Sequence, residues 1–281
     1  MQQESKITRV FQYLLLAVFM FLLLFPIYWQ FIMSVSISGN VLSSDLDWLM
    51  PKVITTVYYE KLFFRTDFFR FFFNSTYIAV VTTLLTLVLS AMGGYSLGRI
   101  RFTGRKLVGR LILFTYVIPS VLLLVPLFTF IVNMNLLNTK ASLVLSYMTF
   151  SLPFCLWMLR GFFASLPKGI EEAALIDGCS IFGSFLRVIL PLSAPGLVAA
   201  AMFTFMLSWN EYLFALVFIT NNAAQTLPIG IVTNFFNSIM TPEDWCTIMA
   251  AAVLVSIPVY FLFIFLQKYL VSGLAAGAVK E

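Results

Sequence analysis

Histidine is absent from this 281-residue chain, and charged residues make up only 10% of it. A soluble globular domain carries roughly 25% charged residues, so the composition excludes an ordinary soluble protein. The lack of histidine removes the commonest metal ligand and the usual proton shuttle near neutral pH. The three cysteines, Cys155, Cys179 and Cys246, have no paired spacing, so we expect no disulfide.

Hydrophobic residues account for 61% of the chain, and they are gathered in long runs. A run of about 20 apolar residues is long enough to cross the hydrocarbon core of a membrane as a helix. The first run resembles a signal peptide, but it is longer than one and lacks a small-residue cleavage site, so we interpret it as a retained span. The sequence therefore predicts an all-α integral membrane protein with six spans, at residues 10–35, 71–97, 111–132, 141–163, 196–219 and 246–270.

Lysine and arginine are concentrated in one set of loops, before the first span and after the second, fourth and sixth. The positive-inside rule assigns these loops to the cytoplasm. We therefore expect a cytoplasmic N-terminus at 1–9, an extracytoplasmic loop at 36–70 and a cytoplasmic tail at 271–281. The net charge of +5 is then a signal of topology, and nucleic-acid binding is an unnecessary hypothesis.

The loop between the fourth and fifth spans, residues 164–195, is polar and carries two adjacent acids, Glu171 and Glu172. Ser165 can cap a short helix there, and the acids would lie near its positive end. Gly178 stands where a helix would end in a left-handed residue, and Ser180 can cap a second helix. The residues therefore predict a helix-turn-helix, and physics leaves two roles open for it. It is either an amphipathic connector at the membrane surface or a helix laid into a groove of a partner protein.

The order of residues in this loop resembles a known family. Glu172-Ala173-Ala174, then Gly178 and later Ile189-Leu190-Pro191, is similar to the EAA loop of ABC importer permeases. The runs Gly94–Arg99, Ser208–Tyr212 and Gln267–Leu270 also look like parts of such permeases. The nearest resemblance is to the shorter permease of maltose-type carbohydrate importers, with one small departure at Gly93-Gly94.

The resemblance implies a fold of six transmembrane helices with a cytoplasmic coupling helix-turn-helix, in which residues 71–270 form the importer transmembrane domain. It also implies partners: two ATPase subunits, a second and distinct permease, and an extracytoplasmic solute-binding protein. The chain has no Gly-x-x-x-x-Gly-Lys-Ser/Thr phosphate loop, so we expect it to bind no cofactor, with ATP and Mg held by the ATPase subunits. By this resemblance the chain is a non-catalytic, multi-pass protein of a prokaryotic cell membrane.

The resemblance also assigns residues to the ATPase interface. These residues are Glu171, Glu172, Ala173, Ala174, Asp177, Gly178 and, from the tail, Gly277.

Glu211 is the one acid within a predicted span, in its outer half. A charge within the membrane is costly and often functional. With Trp209, Asn210 and Tyr212 it is a candidate for the translocation pathway or gate, and Asn74 is a weaker candidate. The alternative is an aromatic anchor with a structural hydrogen bond.

Other classes of membrane protein fit poorly. An ion-coupled secondary transporter needs charged groups in mid-membrane, and only Glu211 comes near. A membrane-embedded enzyme needs a nucleophile with a base, or a metal cluster, and the sequence offers neither. The expected cargo is a sugar or oligosaccharide, and the alternatives are a polyol, a sugar phosphate or another small polar solute.

Overall fold

The computed structural model describes the backbone of residues 6–37, 53–235 and 241–278, and the side chains of residues 7–37, 53–233 and 241–269. Within these ranges the chain is helical apart from its connections and one isolated β-bridge, between Ser36 and Ile54. A 3₁₀ turn spans Ser120–Leu123, and a π-helical segment spans Phe185–Ile189. The α-helices are α1 Lys6–Val35, α2 Val57–Arg65, α3 Phe68–Arg99, α4 Arg105–Val117, α5 Leu124–Asn133, α6 Lys140–Ser165, α7 Lys168–Ile176, α8 Ile181–Ser184, α9 Leu190–Leu192, α10 Ala194–Asn210, α11 Leu213–Phe218, α12 Leu227–Phe235 and α13 Pro242–Ala278.

Four of these helices, α1, α3, α6 and α13, are long and apolar enough to cross a membrane. Two further pairs of helices meet the same test together, although each pair is sharply bent, so the described part of the chain has up to six spans. The predicted all-α membrane fold is therefore confirmed.

The third predicted span, 111–132, is interrupted. α4 and the segment Ser120–Asn133 meet at an angle of 97°. Pro119 has no backbone N–H to continue α4, and it disfavours helical geometry in the residue before it. Ile118 is accordingly extended, with φ −68° and ψ 122°.

The fifth predicted span, 196–219, is also discontinuous. α10 ends at Asn210, Glu211 is extended with φ −72° and ψ 129°, and the chain resumes as the short helix α11. No proline or glycine lies at this break, where Glu211 makes the hydrogen bonds described below. The bend at the start of α10, 76° from the segment Ile181–Leu192, lies between Pro191 and Pro195.

The chain divides into two compact units. One comprises residues 1–68 and 231–257, and within it Lys61 pairs with Glu243 and Asp244 at 3.2 and 3.4 Å. Leu62 is fully buried in this unit, so α2, which lies in the predicted loop 36–70, is packed by its apolar side.

The other unit comprises residues 69–230 and 258–281 and holds the loop and both breaks. Its buried side chains form two clusters, one around Tyr147 and Phe218 and one around Phe163 and Phe185. α3 and α6 approach closely at Gly98, where an added Cβ would lie 3.0 Å from the carbonyl oxygen of Arg160. Ser90, Gly94 and Gly98 recur at every fourth position of α3, and small residues at this spacing let two helices pack closely.

Candidate functional site: the exposed loop and the break at Glu211

The polar loop folds as a short helix, α7, that ends in a left-handed glycine. Gly178 has φ +87°, its N–H bonds to the carbonyl of Leu175 at 3.1 Å, and the N–H of Cys179 bonds to that of Ala174 at 3.0 Å. This is a Schellman motif, which satisfies carbonyls at the end of the helix. The sequence predicted both the helix and its end.

The next short helix also begins as predicted. The Ser180 hydroxyl accepts the N–H of Gly183 at 3.0 Å, which is an N-terminal cap. The expected cap of α7 is wrong, because Pro167 stands at that position and Ser165 bonds to Phe162 of its own helix at 2.8 Å. Pro167 fits there because its fixed φ suits the start of a helix.

The two adjacent glutamates differ in exposure and in their contacts. Glu172 is exposed, whereas the side chain of Glu171 is only 18% exposed and accepts a hydrogen bond from the hydroxyl of Tyr95. The Nε of Arg99, whose side chain is 5% exposed, lies 3.6 Å from the other carboxylate oxygen of Glu171. Tyr95 and Arg99 are one turn apart at the end of α3, so Glu171 fastens α7 to that helix.

Arg99 also holds the chain that leads into α7. Its guanidinium donates to the carbonyl of Leu166 at 2.9 Å and lies 3.4 Å from that of Pro167. We call Tyr95, Arg99 and Glu171 the clamp. It joins a buried cation, a carboxylate and a phenol, and it ties both the entry and the first turn of α7 to α3.

The opposite face of α7 is open. Ala173 and Asp177 are exposed, and Ile176 is 85% exposed although it is apolar. Ala174 faces inward and is 7% exposed. The outward face of α7 is therefore formed by Glu172, Ala173, Ile176 and Asp177.

Comparison with known proteins identifies the kind of molecule to which this loop belongs. The family model of the binding-protein-dependent transport system inner membrane component matches residues 90–275, which include α7, the clamp and both breaks. The chain belongs to this family.

Curated relatives of this permease align along almost its whole length. It is 38% identical over 257 residues to a sulfoquinovosyl glycerol transport system permease protein of Agrobacterium fabrum, covering 92% of this chain and 89% of that one. It is 37% identical to a trehalose/maltose transport system permease protein of Thermococcus litoralis, covering 92% and 91%. A diacetylchitobiose uptake system permease protein of Streptomyces coelicolor is 36% identical, covering 92% of each chain.

A solved structure shows the same fold. The permease aligns with a chain of a bacterial ABC transporter involved in the import of the acidic polysaccharide alginate, with a TM-score of 0.82 and 23% identity. The alignment covers 96% of this permease and 99% of that chain.

Glu211 organises the break in the fifth span of the permease. Its carboxylate accepts the backbone N–H groups of Phe214 at 2.8 Å and Ala215 at 3.1 Å, which lie in the first turn of α11. The hydroxyl of Tyr147 in α6 donates to the same carboxylate at 2.7 Å. A helix start leaves N–H groups without partners, and the carboxylate satisfies two of them. Glu211 therefore stabilises α11 and fixes it to α6.

The neighbours of Glu211 have different surroundings. Trp209 is 2% exposed, and its ring packs against Phe205 and the edge of Phe72 at centroid distances of 5.6 and 5.7 Å. Asn210 is exposed and bonds back to Met206 at 2.8 Å, and Tyr212 is half-buried.

Asn74 forms its hydrogen bonds with a part of the chain other than the break at Glu211. It is 4% exposed, and its amide group donates to the carbonyls of Ala223 and Gln225 at 3.0 and 2.8 Å. These bonds fix α3 to the segment before α12, which gives Asn74 a structural position.

Gly277 lies near the end of α13, where side chains fall outside the described residues. Sequence reasoning did not single out Tyr95 and Arg99 as partners of Glu171. Their spacing of four residues, which puts them on one face of a helix, was the available signal.

Proposed function

We propose that this chain is the permease subunit of an ATP-driven, binding-protein-dependent importer that moves a sugar or oligosaccharide inward. The names of the three relatives above, each a permease of a sugar or glycoside system, support this cargo. The observation that carries the mechanism is the outward face of α7, a short helix held firmly on one side and open on the other.

The outward face of α7 fits a docking surface for an ATPase subunit. Exposed large apolar side chains next to a polar loop mark an interaction site, and Ile176 is 85% exposed there. Ala173 leaves room for close approach, and Glu172 and Asp177 supply charge at the rim. Among the residues predicted for this interface, Glu171 and Ala174 act from behind, by positioning α7. We keep Gly178 and Gly277 as proposed contributors.

The clamp gives the docking surface a path to the membrane helices. A push on α7 by a closing ATPase pair acts on α3 through Glu171 as well as on α6 and α8 through the backbone. α3 packs against α6 at Gly98, and Tyr147 of α6 bonds to Glu211 at the break in the fifth span. The movement of α7 is therefore passed from α3 to α6 and on to the break, and this drives alternating access. Such coupling is reciprocal, so cargo-loaded binding protein stimulates ATP turnover.

The remaining parts of the importer belong to other chains. The permease itself is non-catalytic, with ATP and Mg on two ATPase subunits, and it pairs with a second, distinct permease. Its basic loops orient it with both termini in the cytoplasm, which puts α7 on the side where ATP is available. Glu211, with Asn210 and Tyr212 beside it, lines the pathway, whereas the burial of Trp209 and Asn74 favours structural roles for those two.

Co-purification tests this assignment. The complex is isolated from native membranes in mild detergent through a tag on this chain, and its partners are identified by mass spectrometry. An Ile176→Glu variant is compared with an Ile54→Glu variant, which makes the same change at a residue 71% exposed and far along the chain. We expect an ATPase and a second permease with the wild type and with Ile54→Glu, and loss of the ATPase with Ile176→Glu. An Ile176→Glu complex that retains the ATPase fully would contradict the docking surface.

A further inference from the structure

A cavity of about 410 Å³ lies where the two broken spans meet. It is lined by the end of α4, by the turn after it, and by side chains of α6, α10 and α11, all within one compact unit. This volume is within the range of about 300–1,000 Å³ that small-molecule sites occupy.

Both helix breaks open onto this cavity. Ile118 and Pro119 line it from the third span, and Glu211 lines it from the fifth. Within a membrane, backbone that leaves helical geometry is tolerated only inside protein or beside a water-filled space. Two such breaks at one cavity place polar backbone and a carboxylate in its wall.

The chemistry of the lining suits a sugar ring. Tyr116, Phe150, Phe203 and Phe214 contribute aromatic surface, and Tyr116 is 46% exposed. A pyranose ring has apolar C–H faces edged by hydroxyl groups, so it can lie against an aromatic ring while its edge bonds to polar groups. A wall of apolar and aromatic side chains with a small number of placed polar groups is the usual composition of such a site.

The polar groups are held in place. Oε2 of Glu211 accepts from Tyr147 and Ala215, and Oε1 accepts from Phe214. A carboxylate has about four acceptor positions, so Oε1 retains one for a donor in the cavity. The hydroxyl of Thr149 donates to its own helix at Leu145, 3.0 Å away, and keeps its acceptor capacity.

We propose that this cavity binds one ring of the sugar cargo during its passage, so that this chain makes cargo contacts of its own in addition to any made by a partner permease. The proposal rests on the proposed function. It names Tyr116 as the stacking surface and the Glu211 carboxylate with Thr149 as the polar edge.

A first experiment measures uptake by the purified complex, with its binding protein, in proteoliposomes. The probes are radiolabelled trehalose, maltose and diacetylchitobiose. Tyr116→Ala is compared with Tyr260→Ala, which removes a ring of 45% exposure that does not line the cavity. We expect Tyr116→Ala to raise KM about tenfold, the change that loss of one aromatic contact of about 1.4 kcal/mol produces. ATP hydrolysis stimulated by loaded binding protein should remain, and Tyr260→Ala should have the wild-type KM.

A second experiment leaves Tyr116 in place, so its result does not depend on whether the Tyr116→Ala variant folds. In a chain whose three cysteines are replaced by alanine, Thr149→Cys is compared with Thr129→Cys. Both threonines are exposed and bond to their own helix, but only Thr149 lines the cavity. With loaded binding protein, ATP and vanadate, the transported sugar should slow modification of the thiol at position 149 by a methanethiosulfonate reagent, and leave position 129 unchanged.

The outcomes distinguish failure of the sugar assignment from failure of the sugar subsite. If the wild type takes up none of the three sugars, the sugar assignment fails and the subsite fails with it. If the wild type transports a sugar, but Tyr116→Ala keeps the wild-type KM and sugar does not protect position 149, the subsite is overturned while the importer assignment stands.

Discussion

Replacing Glu171 by glutamine removes the negative charge of the clamp and leaves its shape. Breaking a fully buried ion pair costs about 3–5 kcal/mol, because the remaining charge has no partner. Here the side chain of Glu171 is 18% exposed and the Arg99 Nε lies 3.6 Å away. We therefore expect the Glu171→Gln change to weaken the clamp by about 2 kcal/mol, within the lower range for hydrogen bonds to charged groups. That is a factor of about 30 in the equilibrium between an engaged and a released clamp.

The assay is sugar accumulated per ATP hydrolysed in proteoliposomes that contain the whole complex. With the clamp released, α7 can follow the ATPase without moving α3, so the ratio should fall about tenfold or more while basal hydrolysis continues. Tyr95→Phe removes one hydrogen bond, about 1 kcal/mol, and should lower the ratio by about fivefold.

The matched control is Glu172→Gln, the same change one residue further on and at an exposed side chain. It should weaken docking, so that hydrolysis and uptake fall together and their ratio stays near the wild-type value. A wild-type ratio for Glu171→Gln, or an equal fall for both variants, would refute the role of the clamp.

Three further predictions concern stability, measured as the thermal unfolding midpoint in detergent. Gly178→Ala places a side chain at φ +87° and should cost about 1–2 kcal/mol, whereas Gly161→Ala, in the interior of α6 with open space around the added Cβ, should raise the stability slightly. Gly98→Val should lower the midpoint more, since even its Cβ would be 3.0 Å from a carbonyl of α6; a midpoint equal to that of Gly161→Ala would contradict the helix contact. Glu211→Ala leaves two N–H groups of α11 and the Tyr147 hydroxyl without their acceptor and should cost about 2–4 kcal/mol; an unchanged midpoint would show that the break does not depend on it.

Local signals made much of the loop predictable. Gly178 and Ser180 act within a few residues of their own positions, through a left-handed turn and a cap, so their roles follow from sequence alone. Long apolar runs likewise fix α1, α3, α6 and α13, because the membrane sets their length.

Contacts between distant residues were not predictable in this way. Glu171 and Glu172 are chemically alike, and only the position of α3 decides which of them turns inward. The break at Glu211 is similar, because it has no proline or glycine and depends on a hydroxyl 64 residues earlier in the chain. Pro119 breaks its span, whereas Pro26, Pro153 and Pro258 lie inside continuous helices, so proline alone did not locate the bend.

Uptake driven by ATP tests directly whether this chain is the permease of an importer. Proteoliposomes are loaded with ATP and Mg, and the binding protein and labelled trehalose, maltose or diacetylchitobiose are added outside. We expect accumulation that requires ATP and binding protein and that disappears with Ile176→Glu. Uptake that proceeds without ATP, or that is unchanged in Ile176→Glu, would contradict this expectation.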